Sequence, residues 1–163
     1  AERAKDLRHK PVYVMGGAYG GGANQGDDLF DCLRWADHSE NYAAYIADDL
    51  WAGAGVGPED VDVAEIYDCF TYSVVAQLEG LGFCQPGEGP DFVQGGRIAR
   101  DGALPLNTHG GLLSEAYIHG LNHVVEAVDQ LRGDAGPRQI PDAEIALTTA
   151  GAMTCGSALV LRR

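Results

Sequence analysis

The end of the chain narrows the fold more than any other stretch. Two β-rich runs, 144–149 and 157–162, are separated only by the small-residue stretch AGAMTCG (150–156). Runs that close together pair as an antiparallel hairpin. Upstream, PVYVMGG (11–17) reads as a third strand closed by glycines, and residues 61–67 as a fourth, with Tyr67 at its C-terminal end. Helical periodicity fills the spaces between. HSENYAAYIADDLWAGAG (38–55) offers Ser39 as N-cap, a packed face of Tyr42, Tyr45, Ile46 and Leu50, and terminal glycines. TYSVVAQLEGLGF (71–83) is a second helix, and LLSEAYIHGLNHVVEAV (112–128) opens a third. Its stripe of Tyr117, Leu121, Val124, Val128 and Leu131 runs to Gly133. The order strand, helix, strand, helix, helix, strand, strand implies an α/β fold. Between Cys84 and Gly111 the chain is rich in loop residues, and long loops inside a compact domain are commonly functional.

With 163 residues the expectation is one domain, 1–163, with a single core. The chain opens on AERAKDLRHK without an initiator methionine, as if inside a longer protein. A formal charge of −13, from 24 acidic and 11 basic residues, argues against a nucleic-acid partner. No apolar run is long enough for a membrane span, so a cytoplasmic location is expected. Cys32, Cys69, Cys84 and Cys155 form no CxxC pair and read as reduced and mostly buried, Cys155 as a small hydrophobe. The glycines of AYGGGANQG (18–26) miss dinucleotide-loop spacing, because Gln25 stands where a third glycine is needed. The acidic surplus reads as solvated surface or as a face for a basic partner.

Active groups in α/β folds collect at strand C-termini and the helix N-termini that follow. Three segments fit that rule: Tyr67 to Phe70, Asn107 to Tyr117, and Ala150 to Gly156. Taken in order, YDCF (67–70), NTHGG (107–111), AYIHG (116–120) and AGAMTCG (150–156) resemble the C-terminal half of a thiolase-fold enzyme of the sterol-carrier-protein branch. The resemblance runs from about residue 10 to the end and implies a mixed sheet with helices on both faces. The departures from the thiolase pattern carry the functional expectation. Tyr117 stands where a thiolase keeps the histidine that activates its nucleophile, and Tyr67 where Asn or His holds the thioester oxygen. Ala150 replaces the terminal cysteine, with Cys155 offset from it.

Such a tyrosine pair is similar to that of the lipid-transfer-protein aldolases of bacterial steroid side-chain degradation. That resemblance implies retro-aldol cleavage of a 17-hydroxy steroid bearing a three-carbon CoA thioester, giving a 17-keto steroid and propionyl-CoA. It further implies an OB-fold, zinc-ribbon accessory domain of a MaoC-like hydratase as partner, a homodimer through the thiolase core, and no covalently bound cofactor. The CoA thioester enters as substrate. Two other readings stay open: a sterol-carrier-type thiolase, and a non-catalytic thiolase-like scaffold.

In the aldolase reading Tyr117 and Tyr67 are the catalytic pair, with His109, Asp68 and Gly151 in support. Tyr117, in a first helical turn, would have its pKa lowered by the helix dipole and serve as base toward the 17-hydroxyl. Asp68 would raise the pKa of Tyr67 and suit it to donate toward the enolate, although the reverse assignment stays open. His109 would orient a tyrosine or bond the thioester carbonyl, and backbone N–H groups around Gly151 would face the enolate oxygen. His119 and His123, spaced i, i+4, lack a third ligand beside them, so no metal site is expected.

Overall fold

The computed structural model describes residues 2–27 and 30–163. Its centre is a four-stranded mixed sheet in the order β1-β4-β3-β2. Strand β1 spans Tyr13–Gly21, β2 Val63–Glu65, β3 Ile145–Gly151 and β4 Cys155–Arg162. The expected hairpin is there, β3 running antiparallel to β4 from Ile145↔Arg162 to Gly151↔Gly156. β1 lies antiparallel on the far side of β4, with a bulge between Val14 and Gly16. β2 runs parallel to β3, and a parallel pair demands a crossover. The long segment between them supplies it.

Helices α1 (Tyr42–Ala54), α2 (Thr71–Gly80), α3 (Gly89–Phe92) and α4 (Leu121–Arg132) complete the described elements of regular length. Side chains alternate across a strand, so neighbouring strand residues serve opposite faces. Ala64, Ile66, Leu147, Ala158 and Val160 meet Tyr42, Ile46 and Leu50 of α1 and Val74 and Leu78 of α2. On the other face Val63, Ala146 and Leu161 meet Ala127 and Leu131 of α4, with Ile140 and Ala143. The result is helix, sheet, helix in three layers, as the α/β reading requires.

Strand β1, expected over 11–17, runs on to Gly21 into the glycine-rich stretch. Three other boundaries differ from expectation, each for a local reason. The cap of α1 is Asn41, whose side chain accepts the Ala43 N–H at 2.8 Å, while Ser39 turns its hydroxyl to Asp37. The β2 ladder stops at Glu65, but two side chains continue its bonding. Asn107 accepts the Ile66 N–H at 2.7 Å and donates to the Ile66 carbonyl at 2.9 Å, and Thr149 Oγ1 accepts the Tyr67 N–H at 2.8 Å. The largest difference concerns residues 112–128. Leu112–Ser114 form one 3-10 turn, residues 115–120 are irregular, and α4 begins only at Leu121. His119 at φ 45° and Gly120 at φ 95° break the helical path just where the apolar periodicity suggested continuity.

The face α4 buries also differs. Leu121 and Val125 are exposed, whereas His123, Glu126, Ala127, Gln130 and Leu131 point inward. Three of those five inward residues are polar, so hydropathy alone could not find the buried face.

Candidate active site

Tyr67 sits past the C-terminal end of β2 and shares its parity with Val63 and Glu65, so it faces the α4 layer. It is 7% exposed. Its backbone is locked from both sides: Thr149 Oγ1 takes its N–H, and Gln77 Nε2 donates to its carbonyl at 2.8 Å. Gln77, from α2, is fully buried and uses all four of its bonds. Its second N–H reaches the Ser73 carbonyl, and its oxygen accepts from Tyr42 and Thr149 hydroxyls, each at 2.7 Å. A buried amide with every bond made fixes a single arrangement.

Tyr117 comes from the irregular segment before α4. Asn122 staples that segment: its oxygen accepts the Ile118 N–H at 3.0 Å, and its amide donates to the Ala116 carbonyl and the Glu115 carboxylate. Two glycines let the segment approach the sheet. At Gly111, φ 79°, a Cβ would collide with the Asp68 carboxylate that accepts the Leu112 N–H at 3.0 Å. At Gly120 a Cβ would stand 2.5 Å from the Ala150 methyl. Both positions need the left-handed backbone that glycine tolerates.

The outcome is a run of rings in edge contact. Tyr117 lies 6.5 Å from Tyr67, Tyr67 6.3 Å from His123, and His123 5.1 Å from His109. His119 flanks the other side of Tyr117 at 6.2 Å. Burial falls steadily outward, from the enclosed histidines to Tyr117, which is 41% exposed. The two phenols expected from the sequence are therefore neighbours, one seated in the protein and one at its rim.

Beneath them lies Glu65. Its Oε2 is 3.1 Å from His109 Nδ1 and 3.8 Å from His123 Nδ1, while its Oε1 accepts from the Thr108 hydroxyl at 2.8 Å. The three donors of Glu65, His109 and His123 lie within 4.8 Å of one another. Further along α4, Glu126 pairs with Arg138 at 2.8 Å, and Gln130 bridges Glu126, Thr108 and the Arg138 carbonyl.

Electrostatics set the protonation of the phenols. Burial, then the thiol of Cys69, Tyr117 and Asp68, all push the Tyr67 pKa upward. Tyr117 is raised as well, by partial burial, Cys69 and Asp68. The helix-dipole argument for a lowered Tyr117 fails because Tyr117 is not in a helix. Both phenols are neutral at pH 7. His109 is held above its ordinary value: burial works against the charged ring, but the nearby charge of Glu65, with Glu115 and Glu126, outweighs it.

Asp68 accepts the Leu112 N–H and adds the last of the upward pushes on the Tyr67 pKa. His109 does not touch a tyrosine directly; His123 stands between them. Gly151 lies two residues beyond Thr149 at φ 124°, packed against Gly156 and the Cys155 carbonyl at the hairpin end. His119 precedes α4 and does not pair with His123 across a helical turn. The four cysteines are free; Cys32 is buried and the other three are half-buried. Among the described residues no helix is long and apolar enough to cross a membrane. Glu65, Gln77, Asn107, Asn122, His123 and Thr149 were not foreseen as site residues. Two patterns point to some of them: the alternation Val63, Glu65, Tyr67 along β2, and the polar stripe His123, Glu126, Gln130 on α4.

The chain is 41% identical over 160 residues to a steroid side-chain-cleaving aldolase of Thermomonospora curvata, covering 98% of this chain and 40% of that protein. It is 41% identical over 161 residues to the 17-hydroxy-3-oxo-4-pregnene-20-carboxyl-CoA lyase of Mycobacterium tuberculosis, covering 99% and 41%. The chain thus spans about two fifths of the length of these relatives. Among solved structures, an Ltp2-ChsH2(DUF35) aldolase superposes with a TM-score of 0.93 at 40% identity, over 99% of this chain and 42% of that one. A monomeric SCP2-thiolase-like protein of Mycobacterium smegmatis shares the fold, with a TM-score of 0.60 at 20% identity over 99% of this chain and 32% of that one. The family model for the thiolase C-terminal domain-like group matches residues 31–163, and the chain belongs to that family.

Proposed function

We propose that the chain is the C-terminal domain of a CoA-thioester-dependent aldolase, acting on a 17-hydroxy steroid whose three-carbon side chain ends in a CoA thioester. The observation that carries this reading is the Tyr67–Tyr117 pair, with ring centres 6.5 Å apart at the end of β2. Thiolysis needs an activated thiolate, and two neutral phenols supply neither that nucleophile nor a base to generate it. Retro-aldol cleavage asks for less. As the hydroxyl proton leaves, its oxygen becomes the ketone; the adjacent carbon–carbon bond breaks, and its electron pair passes to the thioester α-carbon as an enolate. That carbon then takes one proton. The net change moves a single proton from oxygen to carbon, which two neutral phenols relay without an ionised resting state.

In this scheme Tyr117, at the rim, takes the hydroxyl proton as it passes its own phenolic proton on to Tyr67, and the enclosed Tyr67 delivers its proton to the enolate carbon, so both phenols end neutral. Gly151 and its neighbours belong to the same reading as donors toward the enolate oxygen, and His109 as support behind His123. Likeness to the Ltp2-ChsH2(DUF35) aldolase supports a partner of the DUF35 kind, read here as an OB-fold, zinc-ribbon domain of a MaoC-like hydratase, on a homodimeric thiolase core.

The test is to incubate the full-length protein, with such a partner, with the 17-hydroxy steroid CoA thioester in the absence of free CoA. Appearance of 17-keto steroid and propionyl-CoA in equal amounts is expected. Cleavage that requires free CoA, or an acyl-enzyme, would establish a thiolase instead; no cleavage of any β-hydroxyacyl-CoA would leave a scaffold.

A further inference from the structure

Beneath the tyrosines, outside the transfer between the two phenols, lies an enclosed polar cluster. The side chains of Glu65, His109 and His123 are 0%, 2% and 0% exposed. Glu65 Oε2 and all four imidazole nitrogens are buried without an aligned hydrogen-bond partner. Orphaned polar atoms in such number are costly, roughly 1–3 kcal/mol each, and folded proteins rarely keep them without a partner that satisfies several at once.

We propose that Glu65 Oε2, His109 Nδ1 and His123 Nδ1 form a binding site for one borderline divalent cation of the Zn²⁺ class. Spacing is the first argument. Ligands about 2.0–2.1 Å from a tetrahedral metal stand about 3.3 Å apart. The Glu65 oxygen is 3.1 Å from one nitrogen and 3.8 Å from the other. All three donor atoms lie within 4.8 Å of one another, so a bound metal would draw both rings inward to reach that spacing.

The far nitrogens supply an independent argument. His109 Nε2 faces Glu115 Oε2 at 4.0 Å, and His123 Nε2 faces Asp68 Oδ1 at 3.8 Å. An imidazole that binds a metal through one nitrogen characteristically offers the other to a carboxylate, which orients the ring. Both histidines have a carboxylate on that side, at 3.8–4.0 Å and so beyond direct hydrogen-bond length. Charge points the same way: Glu65, Asp68 and Glu115 surround the two rings, while the nearby Arg138 is already paired with Glu126. Two imidazoles and one carboxylate leave a fourth coordination position for water or a ligand oxygen. The mixed nitrogen and oxygen donor set suits Zn²⁺ over Mg²⁺ or Ca²⁺.

The proposal stands apart from the aldolase reading, because its test reads binding and not turnover. Full-length protein, with any partner it carries, is stripped with a chelator and titrated with Co²⁺ and Zn²⁺. Wild type is expected to take up one equivalent per chain at a site whose Co²⁺ spectrum shows tetrahedral d–d bands without thiolate charge transfer. That absence separates it from any cysteine site on a partner. His109→Asn should abolish the signal, and Asp68→Asn, which keeps all three ligands, should weaken binding about 10–100-fold. Identical titrations for wild type and both variants would overturn the proposal. If the variants do not fold, wild type decides alone: absence of the imidazole-type Co²⁺ spectrum overturns it, and its presence at one equivalent sustains it.

Discussion

The two faces of the sheet are built on different principles. Against α1 and α2 the contacts are almost wholly apolar: Tyr42, Ile46, Leu50, Val74 and Leu78 close on Ile66, Leu147 and Val160. The polar groups there, Gln77 with the Tyr42 and Thr149 hydroxyls, are bonded to one another, and Gln77 has every bond satisfied. Against α4 the apolar cluster is small, and beside it lie Glu65, His109, His123, Glu126 and Gln130, several with atoms unpaired. Burial of apolar surface stabilises the first face, about 1.5–3 kcal/mol for each enclosed large side chain. The second gives up such burial to hold charged and titratable groups in fixed places. On the proposed reading one face is scaffold and the other holds the chemistry, and Gln77 links them by gripping Tyr67 from the scaffold side.

This division can be broken by substitution. Tyr67→Phe keeps the ring packed on His123 and Tyr117 but removes the hydroxyl; cleavage should slow by about 10²–10⁴-fold with the melting temperature nearly unchanged. Leu50→Ala, on the scaffold face at 0% exposure, should cost about 2–5 kcal/mol in denaturant unfolding and leave the rate per folded molecule alone. Should Leu50→Ala slow cleavage as strongly as Tyr67→Phe, the two faces would not be separable.

Gln77→Leu sharpens the boundary. It strands the Tyr42 and Thr149 hydroxyls and the Tyr67 carbonyl, so a loss of about 1–3 kcal/mol should be accompanied by a lower kcat with KM little changed. The smallest effect belongs to Glu126. Burial raises its pKa, yet bonds from Arg138, Thr108 and Gln130 outweigh burial and hold it below the ordinary carboxylate value. A lowered folded pKa means the contribution is complete above the unfolded value, about 4.3, and is lost as pH falls through the folded one. Glu126→Gln should therefore cost about 1 kcal/mol at neutral pH, allowing for the exposed side of Arg138, and nothing in strong acid.

The same contrast explains what was legible in the sequence. On the scaffold side periodicity largely works, because most inward positions of α1 and of both hairpin strands are apolar; the exceptions are Tyr45, expected on the packed face but exposed, and the buried Thr149. Around α4 the expected stripe is half right: Leu131 is buried and Val128 packs on the core, but Leu121 faces outward while polar His123, Glu126 and Gln130 face inward. It also carries the helix nine residues too far toward its N-terminus, across a left-handed turn at His119 and Gly120. Tyr67 and Tyr117 were found through the resemblance of their motifs. Glu65 and His123 escaped because each partner lies far along the chain, and only the crossover between β2 and β3 brings them together.

Proton delivery to the α-carbon is the step on which the account turns, and it can be watched without the steroid being cleaved. With 17-keto steroid bound, the full-length protein should exchange the α-hydrogens of propionyl-CoA into D₂O, as followed by mass spectrometry, and Tyr67→Phe should lose that exchange. Exchange at the wild-type rate in Tyr67→Phe would contradict the assignment of Tyr67 and, with it, the claim that the phenol pair carries the chemistry.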